Sequence, residues 1–187
     1  MVIKKTFKNI FLLCLCVIVA ASFFFPALSC HATGDVGIVV ERVESKENEK
    51  IDTCKYCGKF INKGIIHSDA EKIVKEKLQQ ALTQRGIGYR DGKEKQTYIS
   101  VLIYRFQERK GGNFAVDKPA GVGFHMHLME GTVVGRTFVF DEEQKALSQD
   151  ILSIGKFFKR GGKWITVDKL AEEGINKGTD YLLEILQ

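Results

Sequence analysis

Two cysteines three positions apart, Cys54 and Cys57, are the residues of this chain whose types and spacing best suit chemistry. They stand in the segment DTCKYCGKF, residues 52–60, in which a glycine follows the second cysteine. A Cys-x-x-Cys pair can exchange electrons, close a disulfide or give two thiolates to a metal ion. The choice among these uses depends on the compartment of the protein and on the other ligands within reach.

Histidines elsewhere in the chain could turn the cysteine pair into a metal site. The order Cys-x-x-Cys-Gly-Lys-Phe is typical of half a zinc ribbon, and a closed zinc site needs four ligands. No second cysteine pair follows, so histidines would have to complete it. His125 and His127 lie two residues apart on a predicted strand and point to the same face, and His67 lies ten residues after Cys57. The sequence therefore predicts a zinc site formed by Cys54 and Cys57 with ligands drawn from these three histidines.

A structural disulfide is the alternative use of the pair, and the sequence leaves these two interpretations open. An oxidising envelope favours disulfides, although so small a closed loop would stabilise the fold by only about 2 kcal/mol. A redox pair usually places its first thiolate at the N-terminus of a helix, which lowers the thiol pKa. The next predicted helix starts only near Ser68, so the redox interpretation is disfavoured.

The first thirty residues predict export from the cytoplasm. Three lysines among the first eight residues precede an apolar run from Ile10 to Phe25, and no acidic residue occurs before Asp35. A charged start followed by an apolar middle is typical of a secretory signal peptide. The run is short for a bilayer span of about 20 residues, so a cleaved signal is favoured over an uncleaved anchor.

The segment Ala-Leu-Ser-Cys at residues 27–30 resembles a bacterial lipobox. That resemblance implies cleavage before Cys30 and attachment of lipid, palmitate included, to this residue, which would hold the protein on a membrane. Cleavage after Ser29 or Ala32 without lipidation is the alternative. His31 stands where inner-membrane lipoproteins carry aspartate, so the resemblance implies an outer-membrane lipoprotein facing the periplasm.

Composition limits the remaining function classes. Three of the 28 basic residues lie in the predicted signal, which leaves 25 against 23 acidic residues in the mature chain. This balance is too weak for nucleic-acid binding, which needs a concentrated basic face. The sequence carries no nucleophile elbow, phosphate-binding glycine loop or HExxH motif, so we expect no enzymatic activity.

Hydrophobic patterning predicts a first strand at residues 37–43, a solvated loop at 44–50 and a helix that starts at Ser68. A Ser68–Glu71 capping box would begin this helix, and Arg85-Gly86 would end it. An interior strand follows at residues 97–106, then a hairpin formed by residues 123–129 and 132–140 around a Glu130-Gly131 turn. Gly135 is expected to mark a bulge or a close backbone approach.

The C-terminal third is predicted to be helical. Apolar residues recur at helical spacing between Ile151 and Phe158, and Thr166 is a plausible N-cap for a last helix that reaches Leu186. The buried stripe of that helix is predicted from the residues that share one face: Leu170, Gly174, Gly178, Tyr181, Leu182 and Ile185. The two glycines suggest that the helix backbone lies close against a sheet. The order of elements favours an α+β fold in which helices pack on one face of a mainly antiparallel sheet.

The second half of the chain resembles a known group of proteins. The runs FDEEQKALS at residues 140–148, GKF at 155–157 and RGGKWIT at 160–166 resemble a family of uncharacterised bacterial lipoproteins. Their domain is similar to that of curli-secretion-type lipoproteins and of lipoprotein activators of penicillin-binding proteins. The resemblance covers residues 97–186 and implies an accessory or assembly role in the envelope, with no catalytic residues to carry over.

These observations divide the chain into a signal peptide (1–29), a tether with the Cys-x-x-Cys segment (30–67) and an α+β domain (68–187). Cations and aromatic residues alternate at residues 156–164, where Arg160, Lys163 and Trp164 are candidates for contact with a partner. The favoured alternative is a helix end whose basic residues suit the helix dipole and whose phenylalanines pack in the core. The leading hypothesis is a non-enzymatic, lipid-anchored envelope protein that binds another envelope protein. The alternative is a periplasmic zinc-binding or thiol-responsive protein.

Overall fold

A central β-sheet carries the fold of this chain, seen in a computed structural model that describes residues 35–44, 51–111, 116–145 and 154–184. The nine strands of this described part are β1 (Val36–Arg42), β2 (Ile51–Thr53), β3 (Phe60–Asn62), β4 (Tyr89–Asp91), β5 (Thr97–Gln107), β6 (Lys110–Gly111), β7 (Val116–Lys118), β8 (Ala120–Glu130) and β9 (Val133–Gln144). The helices are α1 (Ala70–Gln84), α2 (Ile154–Lys159) and α3 (Val167–Leu183). The predicted signal peptide, Cys30 and nearly all of the predicted loop at 44–50 lie outside the described residues, as do Ile151, Leu152 and Ile185.

The sheet confirms the predicted α+β class. Its strand order is β4-β1-β5-β8-β9, so the apolar strand at residues 97–107 is central, as its sequence predicts. The long pairings, β5 with β8 and β8 with β9, are antiparallel, whereas β1 runs parallel to β4 and β5. Two small antiparallel pairs, β2–β3 and β6–β7, stand beside this sheet.

Helices α1 and α3 pack against one face of the sheet and enclose the main hydrophobic core. Alternate residues of β5 and β8, among them Ile99, Val101, Phe124 and Met126, point to this face and are fully buried. Within the described part of the chain, no helix is long and apolar enough to cross a membrane.

The glycine prediction for the last helix is confirmed. A Cβ atom at Gly174 would lie 2.6 Å from Phe140, and one at Gly178 would lie 2.4 Å from the sulfur of Met126. Only glycine lets the backbone of α3 approach the sheet this closely. Thr166 caps the helix as predicted by accepting a hydrogen bond from the Lys169 N–H group.

The predicted hairpin and bulge are also confirmed. Strands β8 and β9 are joined at Gly131, whose φ of 61° lies in the left-handed region that favours glycine. The pairing passes from Leu128 opposite Arg136 to Met129 opposite Val134. Gly135 is therefore the extra residue of a β-bulge.

Two local predictions are wrong. Helix α1 begins one residue later than predicted, with Asp69 as its N-cap, so Ser68 and Glu71 do not form a capping box. The Glu71 carboxylate instead accepts a hydrogen bond from Arg42 at 2.6 Å. Tyr181 was expected in the buried stripe of α3, yet it is 42% exposed and its ring lies beneath the guanidinium of Arg136.

Candidate metal centre

The opposite face of the sheet is covered by the β2–β3 hairpin, which carries the cysteine pair. The two strands pair from Ile51 opposite Asn62 to Thr53 opposite Phe60. At their turn the Cys54 N–H donates to the Lys59 carbonyl and the Gly58 N–H to the Cys54 carbonyl, both at 2.8 Å. Gly58 has a φ of 68°, which explains the glycine after the second cysteine. This tight turn brings both sulfurs to the inner side of the hairpin.

Strand β8 of the sheet carries the two histidines that face the hairpin. Because side chains alternate along a strand, His125 and His127 point away from the helices, whereas Phe124 and Met126 join the main core. The two histidines stand opposite Leu102 and Ser100 of β5, respectively, in the strand register. Both imidazoles are fully buried.

Cysteines and histidines meet in one cluster, although they lie about 70 residues apart in sequence. The Cys54 Sγ atom is 3.3 Å from His127 Nε2, and the Cys57 Sγ atom is 3.6 Å from His125 Nδ1. All four candidate ligand atoms lie within 4.8 Å of one another. Zinc bonds of ~2.3 Å to sulfur and ~2.0 Å to nitrogen, set at a tetrahedral angle, would separate these atoms by about 3.3–3.8 Å. The cluster therefore has the size of a tetrahedral metal site.

Apolar and aromatic side chains bury three residues of the cluster, and Cys57 is half-buried. Cys54 and Ile61 of the hairpin form a small second core with Leu102 and Tyr104 of β5. The ring of Tyr104 meets that of His125 edge to face, at 5.3 Å between centroids. The site is thus enclosed between hairpin and sheet, and this is typical of a structural metal site.

Tyr56, the residue between the cysteines, is a contact that sequence reasoning missed. Its ring lies 5.0 Å from that of His127, and its hydroxyl donates to a carboxylate oxygen of Glu41 at 2.5 Å. Lys55 pairs with the other oxygen of the same carboxylate at 2.8 Å. The hairpin is therefore tied to β1 as well as to β8. Glu41 follows the apolar run of β1 and precedes Arg42, so its sequence context gave no signal for this contact.

The imidazoles are in the form that binds metals. Burial lowers the pKa of His125 to about 4, with further lowering by His127 and Lys59. Burial also lowers the pKa of His127 to about 4, against opposing contributions from Ser100 and Glu41. Both rings are therefore neutral at physiological pH. The Nε2 atom of His125 is buried with no hydrogen-bond partner among the described residues, so Nδ1, which faces the sulfur, makes the polar contact of that ring.

The environment of Cys54 favours metal binding over redox catalysis. Burial raises the pKa of its thiol, although the backbone N–H groups of Cys57 and Tyr56 point at the sulfur and act in the opposite direction. A redox-active cysteine needs a lowered pKa, usually at a helix N-terminus, whereas Cys54 lies in a hairpin turn. A bound cation would supply the charge that stabilises the thiolate. Both cysteines are free thiols in the structure.

The structure brings four of the five candidate ligands together and places His67 elsewhere. The side chain of His67 is exposed at the start of α1, where its Nδ1 atom lies 3.9 Å from a carboxylate oxygen of Asp69. Of the candidate partner-binding residues, Lys163 is exposed and Trp164 is half-buried against Phe157. Arg160 is largely buried, because its guanidinium binds two glutamates of neighbouring elements. Cys30 lies outside the described residues.

Comparison with solved structures finds matches at low sequence identity. No family model and no curated protein matches the chain significantly. The PelC dodecamer from Paraburkholderia phytofirmans is 15% identical, over 81% of this chain and 89% of that chain, with a TM-score of 0.48. A Xanthomonas campestris protein of family DUF330 is 12% identical over 82% and 85%, with a TM-score of 0.43. A minor lipoprotein from Acinetobacter baumannii is 9% identical over 75% and 90%, with a TM-score of 0.30.

Proposed function

We propose that the protein is a non-enzymatic module of the bacterial envelope in which Cys54, Cys57, His125 and His127 hold one structural zinc ion. The observation that carries this proposal is the convergence of four ligand atoms, from a hairpin turn and a distant strand, within 4.8 Å of one another. Two thiols and two neutral imidazoles form one of the common ligand sets of closed zinc sites.

The choice of zinc follows from the ligands and their enclosure. Thiolate and imidazole ligands suit zinc, whereas calcium and magnesium prefer oxygen ligands. All four ligand positions belong to the protein, and Cys54 and both histidines are buried, so no open position is left for a substrate. Zinc here would stabilise the fold rather than activate water.

The role of the ion would be to fasten the β2–β3 hairpin to the sheet. The small core beneath the hairpin contains only a few residues, and the surface ion pair between Lys55 and Glu41 contributes at most about 1 kcal/mol. Structural zinc contributes on the order of 10 kcal/mol in small zinc-dependent folds. The metal would therefore be the main force that holds this segment in place.

The cellular location and the kind of partner are proposed from the sequence. The charged and apolar start of the chain and the Ala-Leu-Ser-Cys segment support a lipoprotein anchored at Cys30, and we propose the outer membrane, facing the periplasm, as its site. A protein without catalytic signatures in such a place would act by binding another envelope protein. Mass spectrometry of the membrane-extracted protein tests the anchor: an unmodified residue 30 would refute it.

Metal content and melting temperature test the zinc site. We expect about one zinc per purified chain, and a lower melting temperature after removal by a chelator but not after treatment with a reductant alone. Cys54→Ser and His127→Ala should each abolish stoichiometric zinc, whereas the exposed His67→Ala is the matched control and should retain it. A protein without reactive thiols, whose melting depends on reductant and not on chelator, would instead contain a disulfide and refute the proposal.

A further inference from the structure

Two buried polar atoms without a hydrogen-bond partner belong to facing residues of neighbouring strands at the metal centre. They are the hydroxyl oxygen of Ser100 on β5 and the Nδ1 atom of His127 on β8, and neither has such a partner among the described residues. Both residues are 0% exposed, so bulk water cannot take the place of that partner. Because burial of an unsatisfied polar group costs free energy, two such atoms on facing residues call for an explanation.

The strand register places these two side chains within reach of each other. Ser100 is paired with His127 in the antiparallel β5–β8 ladder, and residues paired in this way point to the same face of the sheet. Their Cβ atoms are separated by about 4.5–5.5 Å in such a pair. The serine oxygen lies one bond beyond Cβ and the histidine Nδ1 atom two bonds beyond it. A change of the Ser100 rotamer can therefore bring the two atoms to hydrogen-bond distance.

The direction of the His127 ring gives its two nitrogens different roles. The Nε2 atom faces the Cys54 sulfur at 3.3 Å, so Nε2 is the nitrogen that would bind the metal. A neutral imidazole carries one proton, which then lies on Nδ1 and makes this atom a hydrogen-bond donor. A histidine that binds a metal almost always donates its second N–H group to an acceptor. The ring of His127 therefore needs an acceptor at Nδ1.

Two other acceptors lie near the same ring, and the structure favours the Ser100 hydroxyl over both. Thr137 is paired with His127 from the β9 side, but it is only half-buried, so its hydroxyl can bond to water. Burial lowers the pKa of His127 and the Ser100 backbone carbonyl opposes this effect, yet Nδ1 makes no hydrogen bond of good geometry to that carbonyl. The Ser100 hydroxyl is fully buried, and no described residue uses it.

We propose that Ser100 is a positioning residue of the metal centre, whose hydroxyl accepts a hydrogen bond from the Nδ1–H group of His127 and so directs Nε2 toward the zinc ion. This inference rests on the proposed function, because the bond acts on a zinc ligand. The other histidine has no equivalent partner in the strand register. His125 is paired with Leu102 and Val139, whose side chains accept no hydrogen bonds. Ser100 would therefore fix the tautomer of one ligand only.

Ser100→Ala tests this role, because it removes the hydroxyl and keeps the backbone carbonyl. We expect zinc affinity to fall about tenfold, as measured by competition with a chromophoric chelator. After removal of the metal, Ser100→Ala should melt at no lower temperature than the metal-free parent, because no described residue bonds to the hydroxyl that is lost. An equal loss of stability with and without zinc would show a purely structural role and overturn the proposal.

Thr137→Val is the matched control, because it removes the hydroxyl on the other strand neighbour of the same histidine. This variant should bind zinc as tightly as the parent protein. A loss of affinity in Thr137→Val as large as that in Ser100→Ala would mean that the effect is not specific to Ser100. Unchanged affinity in both variants would assign the N–H group to the Ser100 carbonyl. Either result would overturn the proposal.

Nitrogen NMR of the zinc-loaded parent gives a readout that does not depend on the folding of a variant. In the mature protein labelled with ¹⁵N at histidine, we expect His127 to carry its proton on Nδ1 and this proton to exchange slowly with water. The same proton should exchange faster in Ser100→Ala. A proton on Nε2 of His127, or equal exchange in the two proteins, would overturn the proposal.

The metal content of the parent protein separates this inference from the proposed function. A parent that binds no zinc would refute the proposed function and this inference with it. A parent that binds one zinc ion, together with Ser100→Ala that binds it equally tightly, would refute the role of Ser100 alone. A tenfold loss of affinity in Ser100→Ala with unchanged stability of its metal-free form would support both.

Discussion

At the scale of single residues, side chains around the four candidate ligands connect the cluster to neighbouring strands. Tyr56 packs on His127 and donates to Glu41, so it links the cysteine turn to the ligand strand and to β1. Partners of this kind orient metal ligands, and their loss usually lowers metal affinity. The sequence identified Cys54, Cys57, His125 and His127 as candidate ligands, together with His67, because cysteine and histidine spacing is local information. It missed Tyr56 and Glu41 because their contact joins separate elements.

Tyr56→Phe tests this supporting role. The variant keeps the ring on His127 and removes only the hydroxyl that donates to Glu41, so we expect zinc affinity to fall about tenfold and the free energy of unfolding by about 1 kcal/mol. Competition with a chromophoric chelator measures the affinity, and urea unfolding measures the stability. Tyr89→Phe on the edge strand β4 serves as the control for removal of a hydroxyl. Equal effects of the two substitutions would contradict a specific role for Tyr56.

At the scale of elements, the close approach of the α3 backbone to the side chains of the sheet decides how this helix packs. The four-residue spacing of Gly174 and Gly178 was readable in the sequence, and the structure explains it by contact with Phe140 and Met126. The start of α1 was predicted one residue too early because a long-range contact overrode a local sequence rule. Its Ser and Glu residues fit a local rule, but an arginine from β1 competes for the glutamate, and such a partner is not visible from local spacing.

Gly178→Ala should destabilise the protein despite the better helix propensity of alanine. The new Cβ atom would lie 2.4 Å from the Met126 sulfur and 2.7 Å from a ring carbon of Phe138. Overpacking costs about 1–3 kcal/mol, and alanine recovers about 1 kcal/mol in a helix, so we expect a net loss of up to about 2 kcal/mol in urea unfolding. Gly155→Ala in α2 is the control, because among the described residues no atom lies within 4 Å of its new Cβ. A stabilised Gly178→Ala variant would show that α3 can move away from the sheet.

The ion pairs of α3 predict a pH dependence. Burial raises the pKa of Glu173, but hydrogen bonds from Lys177 and Arg160 outweigh it, and the pKa is lowered overall. A lowered pKa in the folded state stabilises the protein above the unfolded-state value of about 4.3, and this contribution is lost as the pH falls through the folded-state value. Glu173→Gln should therefore be less stable than the parent at pH 7 and approach it near pH 3, as measured by urea unfolding. A stability difference that stays constant over this range would contradict the assignment.

At the scale of the whole molecule, two hydrophobic clusters of unequal size stand on opposite faces of one sheet. The helices cover the large cluster, and the hairpin with its cysteines covers the small one. The strand and helix order was predictable, since apolar periodicity and glycine positions are written along the chain. The meeting of the cysteine turn with β8 was only a hypothesis, because the residues that meet are separated by 73 positions in the sequence.

Metal removal should therefore open the hairpin and leave the rest of the fold intact. Without zinc, the hairpin is held by its small core and by surface ion pairs, whereas α1 and α3 keep the large core closed. Hydrogen exchange with and without chelator measures this. The amides of Cys54 and Gly58, which close the turn, should lose protection, and the amides of β5 that pair with β8 should keep it. His67→Ala, with its ligand set complete, should respond like the parent, and His127→Ala should resemble the chelated protein from the start. Loss of protection across the whole sheet would mean that the ion supports the entire domain. Unchanged exchange at the turn would mean that the hairpin does not depend on a metal, because its own contacts would then be sufficient to keep it closed.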